Sequence, residues 1–508
     1  MRKTLCSLLL SLSLAGSALA DGTIWAYPYL QNVTPTSADV YWVSEDPRPL
    51  VLHLGDEAYR STSRRAEGLG FNLSEVEQFA QLKVASPRFL HRVELRQLDP
   101  KKAYSYRVQL ASEGEPFQAA FTTPPSGRES YRFLAYSDSE TEPESHGTPT
   151  GWPSESDPKR KYLVDQATGY RANLDLMMSR QAQAILIAGD LVESGGEQRD
   201  WDEFWRMNTD PDGAKSLASQ VPLLPAIGNH EYYGGPKNGK YSLPAIIDAS
   251  RKYFAYFHPT GAEHRENYYS VKLGPARLIS LDSCDGMPHK TPADPNYHMN
   301  SAPKEVPGIQ GGSRQTEWLE TELAAAQRED AFTFVFFHHC PYSVGPHGYP
   351  AGEGPGQDPQ SGQPLRAYTP LFMKYGVDAV IAGHDEMWER SSIEGQEWVP
   401  GQGKQPHTVQ FYDVGIGGDG LRKAEKGLKN PHQQFLADTG APEVWENGVL
   451  VDGGRHYGHL EVNLEPDGAN GWRATLEPVY LFPIKDGDGW RFERRVYPDT
   501  VYLRSRTR

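Results

Sequence analysis

The stretch AILIAGD, residues 184–190, gives the first clear indication of the fold, because an apolar run ends abruptly in Gly189 and Asp190. Five further runs share its form: YRFLAYSD (131–138), VPLLPAIGNH (221–230), ARLISLDS (276–283), AFTFVFFHH (331–339) and VDAVIAGHDE (377–386). Short apolar runs bounded by turns fit strands that are covered on both faces. Between them lie segments with helical periodicity, such as residues 315–330, where Trp318, Leu319 and Leu323 share one face. The pattern predicts a layered α/β domain.

Outside this region the sequence has a different pattern. Residues 23–123 contain short alternating runs separated by Asn, Pro, Asp and Gly, which predicts a β-sandwich of about a hundred residues. Pro124 to Gly127 is typical of a linker. The last hundred residues return to strand-like pieces, which we interpret as completing the second domain, with an independent third domain as the alternative. The predicted organisation is therefore a sandwich over 21–126 and a second domain over 127–508.

Composition limits the classes of function. The chain has 508 residues, with 51 Lys and Arg against 66 Asp and Glu, for a net charge of −15. No basic block stands out, so binding to nucleic acid through charge is not expected. The 38% hydrophobic content, with 49 Gly and 40 Pro, is typical of a loop-rich globular protein.

The first twenty residues resemble a secretory signal. Arg2 and Lys3 precede a leucine-rich apolar run, which ends in the small-residue sequence Ala18-Leu19-Ala20. We expect cleavage after Ala20 and a secreted or periplasmic protein with no membrane anchor after cleavage; an uncleaved apolar anchor is the alternative. Two cysteines, Cys284 and Cys340, would remain, and the sequence leaves their pairing open.

Five of the apolar runs end in a residue that can bind a metal ion. These residues are Asp138, Asp190, Asn229, His338 and His384. A single Asp or Asn at this point is ordinarily a turn signal, but five in series are hard to explain as turns alone. Because loops at strand ends carry the site in layered α/β sheets, several strands could bring these groups together.

The residue types fit a dinuclear centre. Asp190 could bridge two cations, with Asn229, His338 and His384 completing one site, and Asp138 with other carboxylates completing the second. Two such ions, about 3.5–4 Å apart, can hold a hydroxide and neutralise charge on a phosphoryl group. His230 is then placed to bond a phosphate oxygen or to protonate a leaving alcohol.

The order of the motifs resembles the calcineurin-like metallophosphoesterases, and most closely their purple acid phosphatase branch. The motifs are YSDSE, AGDLVE, GNHE, FFHHCPYS and GHDEMWER, and the opening PYLQNVTPTSADVYW is similar to the fibronectin-type sandwich of that branch. The resemblance implies a multidomain β plus α/β protein. A fibronectin-type, Ig-like β-sandwich would be followed by a four-layer αββα metallophosphoesterase sandwich.

The resemblance also implies roles for individual residues. Asp138, Asp190, Asn229, His338 and His384 match metal ligands, and His230 matches the histidine that contacts substrate. His339 is expected outside the ligand shell. His347, in a Gly/Pro-rich loop, could match a second substrate-contacting histidine.

Three positions depart from the family pattern. Glu193 stands where the purple enzymes have a ligand tyrosine, Glu140 where the family has His or Gly, and Glu386 where it has the second His of GHxH. We expect Glu140 and Glu386 to be ligands and no purple tyrosinate complex to form. Glu140 and Glu193 pointing to solvent is the alternative. An oxygen-rich first site favours hard cations such as Mg²⁺, Mn²⁺, Ca²⁺ or iron. For the two metal ions together the candidates are Fe, Mn, Mg, Zn and Ca.

The sequence therefore supports two hypotheses. The first is an exported metal-dependent phosphoesterase that hydrolyses small phosphate mono- or diesters by attack of a metal-bound hydroxide, with two metal ions and no organic cofactor. The second is a non-catalytic extracellular binding protein on a degraded scaffold of the same kind. Substrate choice would lie in three loops, residues 140–158 with His146 and Trp152, residues 286–313 and residues 345–366.

Overall fold

A computed structural model gives the fold of the chain. It describes residues 23–79, 82, 87–110, 114–147, 149–151, 161–259, 267–284, 313–355, 360–447, 449–487 and 489–505. The expected signal segment 1–20, Trp152 and most of the 286–313 loop lie outside the described residues.

The N-terminal part is a β-sandwich. Its elements are β1 (Ile24–Thr34), β2 (Ser37–Ser44), β3 (Val51–Leu54), β4 (Glu57–Arg60), β5 (Thr62–Arg65), α1 (Leu73–Gln78), β6 (Phe89–Arg96), β7 (Ala103–Val108) and β8 (Phe117–Thr122). They form two four-stranded sheets, ordered β1-β2-β6-β5 and β4-β3-β7-β8. Alternate residues from both sheets, such as Val40, Trp42 and Phe121, meet in one buried cluster. The sandwich is as predicted, and its assignment to the fibronectin type stays a prediction.

The remaining chain forms the larger part of the molecule. Its helices are α2 (Gln166–Met178), α3 (Gln198–Asn208), α4 (Leu217–Gln220), α5 (Leu243–Tyr256), α6 (Arg314–Glu329), α7 (Thr369–Lys374) and α8 (Ala437–Gly440). Its strands are β9 (Tyr131–Tyr136), β10 (Pro149–Gly151), β11 (Lys161–Asp165), β12 (Ala184–Ile187), β13 (Leu223–Pro225), β14 (Tyr269–Leu273), β15 (Ala276–Ser280), β16 (Phe332–His339), β17 (Ala379–Gly383), β18 (Trp388–Val399), β19 (Gly403–Val414), β20 (Gln433–Leu436), β21 (Val444–Glu446), β22 (Val449–Asp452), β23 (Gly458–Asp467), β24 (Gly471–Asp486), β25 (Gly489–Val496) and β26 (Val501–Arg504).

Two seven-stranded mixed sheets form the centre of this part. The first has the order β13-β12-β9-β23-β24-β25, with β26 also paired to β24, and the second has the order β14-β15-β16-β17-β19-β18-β20. Strands β13, β12 and β9 are parallel, as are β15, β16, β17 and β19. The C-terminal strands extend the first sheet, since β23 pairs antiparallel with β9.

Helices cover the outer face of each sheet. One buried cluster lies between the sheets and contains Phe133, Phe334 and Leu460. A second joins α2, α3 and α5 to the outer face of the first sheet, and a third joins α6 and α7 to the second sheet. The layer order is αββα, as the sequence predicts, and the apolar runs are its buried central strands.

The sandwich packs onto the helical layer of the first sheet. The ring of Tyr29 lies 4.2 Å from that of Trp205 in α3, and the Tyr29 hydroxyl donates to the Tyr256 carbonyl oxygen at 3.0 Å. Arg88, fully buried, pairs with Asp202 of α3. Because these contacts bury aromatic rings and an ion pair, the two parts share one apolar interface.

The structure also bears on the two cysteines and on membrane-spanning helices. Cys284 and Cys340 are not joined by a disulfide. Across the described segments, no helix combines the length and the apolar character that crossing a bilayer requires.

Candidate metal centre

The predicted ligands lie at the carboxyl ends of parallel strands from both sheets. Asp138 and Asp190 follow β9 and β12, and Asn229 follows β13 of the same sheet. His338 lies at the end of β16, and His384 follows β17 in the second sheet. Because parallel strands end at the same edge, the two sheets bring these side chains to one place.

The backbone at this edge takes an uncommon conformation. Asp138, Glu140, Asp190, His384 and Glu386 have φ values of 58°, 36°, 52°, 77° and 50°. Each non-glycine residue in this left-handed region costs on the order of 1–3 kcal/mol and persists only where its surroundings hold it. Here the amides of Ser139 and Glu140 donate to the Asp190 carbonyl oxygen at 3.0 and 3.1 Å, tying two of the loops together.

Two glycines allow the close approach of the carboxylates. A Cβ at Gly228 would overlap the Asp190 carboxylate, and a Cβ at Gly383 would overlap that of Asp138. These glycines precede Asn229 and His384, so each contributes space for a ligand on another strand.

A nitrogen-rich cluster is formed by Asp190, His338 and His384. His338 donates from Nδ1 to the Ala188 carbonyl oxygen at 3.0 Å, and His384 donates from Nε2 to the Gln360 carbonyl oxygen at 2.7 Å. The second nitrogens, Nε2 of His338 and Nδ1 of His384, therefore face each other at 3.1 Å. Nε2 of His338 is also 2.8 Å from Asp190 Oδ2. Three electron-pair donors converge on one point, and backbone carbonyls fix the other ring nitrogens, as in metal-bound histidines.

Asn229 adds a fourth donor beside this cluster. Its Nδ2 donates to the Tyr241 hydroxyl at 3.3 Å, which fixes the orientation of the amide. Its Oδ1 is buried and has no hydrogen-bond partner among the described residues. Burying a carbonyl oxygen without a hydrogen-bond partner costs free energy. A cation coordinated by this oxygen would supply the missing interaction.

An oxygen-rich cluster lies next to the first and shares Asp190 with it. Asp138, Glu140 and Asp190 each present an oxygen within 4.8 Å of the others, and so do Glu140, Glu386 and Asp419. Glu140 and Glu386 are buried, so the alternative in which Glu140 points to solvent is wrong. The Glu193 side chain is 38% exposed and lies beside His230.

The crowding of carboxylates changes their acidity. Burial, aided by the charge of Asp190 and opposed by His338, raises the pKa of Asp138 to about 6. Burial and neighbouring carboxylates, Asp419 foremost, raise the pKa of Glu140 well above its usual range. Burial also raises the pKa of Glu386 well above its usual range, although Arg422 opposes the effect. So many anions in a buried space fit a site that binds cations.

His230 faces the same space. Its Nδ1 donates to the Glu193 carbonyl oxygen at 2.6 Å, so Nε2 points into the site, 3.9 Å from Asp190 Oδ2 and 4.0 Å from Glu140 Oε1. Burial acts to lower the pKa of His230, but Asp190 and Glu193 raise it by more, so it lies above its usual value. His230 is therefore placed to donate a proton from Nε2.

Glu231 positions the loops without entering the cluster. Its carboxylate accepts hydrogen bonds from the backbone amides of Gly228, Asp190 and Leu191 at 2.7–3.0 Å. Because these amides flank two of the predicted ligands, Glu231 holds the β12 and β13 loops in register.

His347 lies at the rim. Its ring centroid is 3.9 Å from that of His384, and its amide donates to Asp385 Oδ1 at 2.8 Å. Nη1 of Arg422 donates to His347 Nε2 at 3.1 Å. The structure thus places His347 beside the nitrogen-rich cluster, with Arg422 as its partner.

The match with known proteins agrees with this geometry. The family model of calcineurin-like phosphoesterases matches residues 160–385. Over this stretch the chain is similar to the calcineurin-like phosphoesterases. This similarity implies a dinuclear metal centre, and the two clusters that share Asp190 are candidate residues for holding it.

Similar proteins include purple acid phosphatases. The chain is 26% identical to a purple acid phosphatase of Glycine max over 313 residues, 60% of this chain and 53% of the relative. It is 23% identical to the protein named probable inactive purple acid phosphatase 27 of Arabidopsis thaliana, over 69% of this chain and 52% of the relative. The chain spans about half the length of the curated relatives it matches.

A solved structure also resembles the chain. A dimetal phosphatase from Danio rerio aligns with 72% of this chain and 99% of its own, at 16% identity and a TM-score of 0.38.

The structure brings every predicted site residue to the same edge of the two sheets. It places His339 outside the clusters, where Nδ1 lies 2.8 Å from Ser283 Oγ. His146 of the first predicted substrate loop pairs with Glu203 at 2.8 Å.

Sequence reasoning missed Asp419, Arg422 and Tyr241. Asp419 had a usable signal, because it follows two glycines after β19, as Asp190 follows Gly189 after β12. No local signal marks Arg422 or Tyr241.

Proposed function

We propose that the chain is an exported, metal-dependent phosphoesterase that hydrolyses small phosphate esters at this centre. The observation that carries the proposal is the convergence of Asp190, His338 and His384, whose free electron pairs meet within hydrogen-bonding distance of one another. The oxygen-rich cluster on the other side of Asp190 supports a second cation. Export rests on the signal-like residues 1–20, and the location would be secreted or periplasmic.

The residue types suggest which side chains would hold each of the two cations. Two bound cations would supply an activated water at neutral pH and positive charge opposite the phosphoryl oxygens. Asp190 would bridge them, with Asn229, His338 and His384 on one side and Asp138, Glu140 and Glu386 on the other. Hard cations such as Mg²⁺, Mn²⁺ or iron suit the oxygen-rich side.

His230 is the proposed general acid. The Glu193 carbonyl oxygen fixes the Nδ1 proton, so a second proton at Nε2 would face the reacting phosphate. That proton can pass to the leaving alcohol oxygen or bond a phosphoryl oxygen, and such transfer contributes about 10²–10⁴-fold to the rate. His347 is proposed as a substrate-side residue at the rim.

A second candidate is a non-catalytic binding protein on the same scaffold. One observation favours it: Glu386, which stands where the family has a ligand histidine, forms an ion pair with Arg422. The relative named as a probable inactive phosphatase shares this family. Under this hypothesis only the nitrogen-rich cluster would keep an ion.

Hydrolysis of an aryl phosphate by protein purified without chelator tests the first proposal. Turnover should disappear with a chelator and return with an added divalent ion. The His230→Gln variant should lower kcat about 10²-fold or more while its metal content stays unchanged. The matched variant is His407→Gln in β19, where His407 Nε2 donates to the Val377 carbonyl oxygen, and this variant should keep full activity. Intact folding without turnover under any metal would reject the enzyme.

Elemental analysis separates the two candidates. The enzyme hypothesis expects about two ions per chain, falling toward one in Glu386→Ala. One ion or none in the parent, unchanged by the substitution, would favour the binding protein.

A further inference from the structure

Arg422 lies in a loop that is tied to the metal centre through its backbone. Its amide donates to the Glu386 carbonyl oxygen at 2.9 Å, and the amide of Asp419 donates to the Asp138 carbonyl oxygen at 2.9 Å. Arg422 also follows Leu421, which has a left-handed φ of 62°. The guanidinium is therefore carried on a loop whose position is set by two predicted ligands.

The guanidinium has two partners among the described residues. It pairs with the Glu386 carboxylate through Nη2 and donates from Nη1 to His347 Nε2 at 3.1 Å. Arginine has five N–H groups and no acceptor, so His347 must accept this bond with Nε2 unprotonated. Donor groups of Arg422 remain beyond these two bonds, and 39% of the side chain is exposed, whereas Glu386 is buried.

The negative charge of the site explains why a phosphate would need the positively charged Arg422 in order to bind. Five carboxylates surround the two clusters: Asp138, Glu140, Asp190, Glu386 and Asp419. Two divalent ions would bring four positive charges, so negative charge remains at the site, and the guanidinium offsets part of it. A phosphate would otherwise approach a centre with a surplus of negative charge.

We propose that Arg422 binds unesterified oxygens of the substrate phosphoryl group and thereby favours phosphate monoesters over diesters. The inference rests on the proposed function. Glu386 and His347 hold the guanidinium beside the centre, and 39% of the Arg422 side chain stays exposed. Guanidinium groups bind phosphate oxygens in a bidentate fork. A monoester offers three unesterified oxygens and two negative charges at neutral pH, whereas a diester offers two oxygens and one charge.

Calorimetric titration with inorganic phosphate tests the contact without requiring turnover. Metal-loaded parent, Arg422→Met and Arg422→Lys are compared, after melting temperature and metal content have been measured for each. Charge-assisted hydrogen bonds of this kind predict that Arg422→Met binds phosphate about 10-fold more weakly or worse. Arg422→Lys keeps the charge without the fork and should fall between.

Arg92 provides a matched control. Its side chain is 37% exposed and pairs with the buried Asp39 at 2.9 Å, far from the centre in the sandwich. Arg92→Met should leave the Kd for phosphate unchanged. Equal phosphate affinity in the parent and Arg422→Met would overturn the proposal, as would no phosphate binding by the parent at millimolar concentration. If Arg422→Met does not fold, equal affinity in Arg422→Lys would overturn the bidentate contact.

Two aryl substrates, a monoester and its diester, test the selectivity. The ratio of kcat/KM for monoester to diester should fall in Arg422→Met, and an unchanged ratio would overturn the selectivity alone. The two proposals fail in different ways. A parent that binds phosphate through Arg422 but turns over neither ester rejects the proposed function only. Active parent and Arg422→Met with equal phosphate affinity reject the Arg422 contact only.

Discussion

Replacing Tyr241 by Phe removes the hydroxyl that orients the Asn229 amide. The Asn229 Nδ2 donates to this hydroxyl at 3.3 Å, so Oδ1 faces the metal centre. The same hydroxyl is hydrogen-bonded to Gln360, whose carbonyl oxygen accepts from His384. Tyr241→Phe therefore weakens the hold on two predicted ligands while keeping the ring that fills the space.

The expected loss follows from these two bonds. A neutral hydrogen bond contributes about 1 kcal/mol, and the 3.3 Å separation places this one at the weak end. Together with the second bond, to Gln360, the loss is roughly 1.4 kcal/mol, which corresponds to about a 10-fold weaker affinity for the metal ion. That value lies at the lower edge of the roughly 10–100-fold losses seen when groups that orient metal ligands are removed.

Calorimetric titration of metal into chelator-stripped protein measures the effect. The control is Tyr106→Phe, which removes a buried hydroxyl that donates to the Ser219 carbonyl oxygen at 3.0 Å, away from the centre. Tyr241→Phe should weaken the binding of metal about 10-fold, and Tyr106→Phe should change only the melting temperature. Equal metal affinity in parent and Tyr241→Phe would refute the orientation argument.

Three further predictions concern the fold and the centre. Asp202→Ala leaves its buried arginine partner unpaired and should lower the free energy of unfolding in urea by about 3–5 kcal/mol; a change below about 1 kcal/mol would contradict a strong interface pair. Burial lowers the pKa of His91 to about 4, against about 6.5 when unfolded, so the unfolded chain binds the proton first and stability falls as pH drops from 6.5 to 4, by up to about 3 kcal/mol. His91→Gln should flatten that part of the pH profile in denaturant titrations. Gly383→Ala places a methyl group against the Asp138 carboxylate and should abolish metal binding measured by elemental analysis, whereas Gly489→Ala, whose methyl group would lie 3.7 Å from the Asp486 carbonyl oxygen, should retain it.

The central strands and their ligands could be read from the sequence because each signal is local. An apolar run ending in Gly-Asp or Gly-His marks both the strand and the edge where its ligand lies, as at Asp190 and His384. The order of strands is not local. Strand β9 pairs with β23 through Leu134 and Glu461, more than three hundred residues apart, and no pattern in either segment specifies the other.

The same distinction applies within the site. Asp138 and Asn229 follow strands closely in the sequence, so the sheet edge at which they lie could be predicted. Arg422 reaches Glu386 and His347 only because the loop after β19 folds back over the centre, which the sequence does not encode in any short motif. The exposure of Glu193 likewise depends on that three-dimensional arrangement and not on its place in the motif.

The interface between the sandwich and α3 makes the N-terminal part an integral element of the fold. Its removal would uncover Trp205 and Tyr256, which now lie against Tyr29, and would leave Arg88's partner Asp202 without a counter-charge. A chain shortened to its metal-binding part would thus expose an aromatic surface that promotes aggregation, and it should precipitate on expression. Recombination in evolution or in the laboratory would therefore have to transfer the two parts as a single unit.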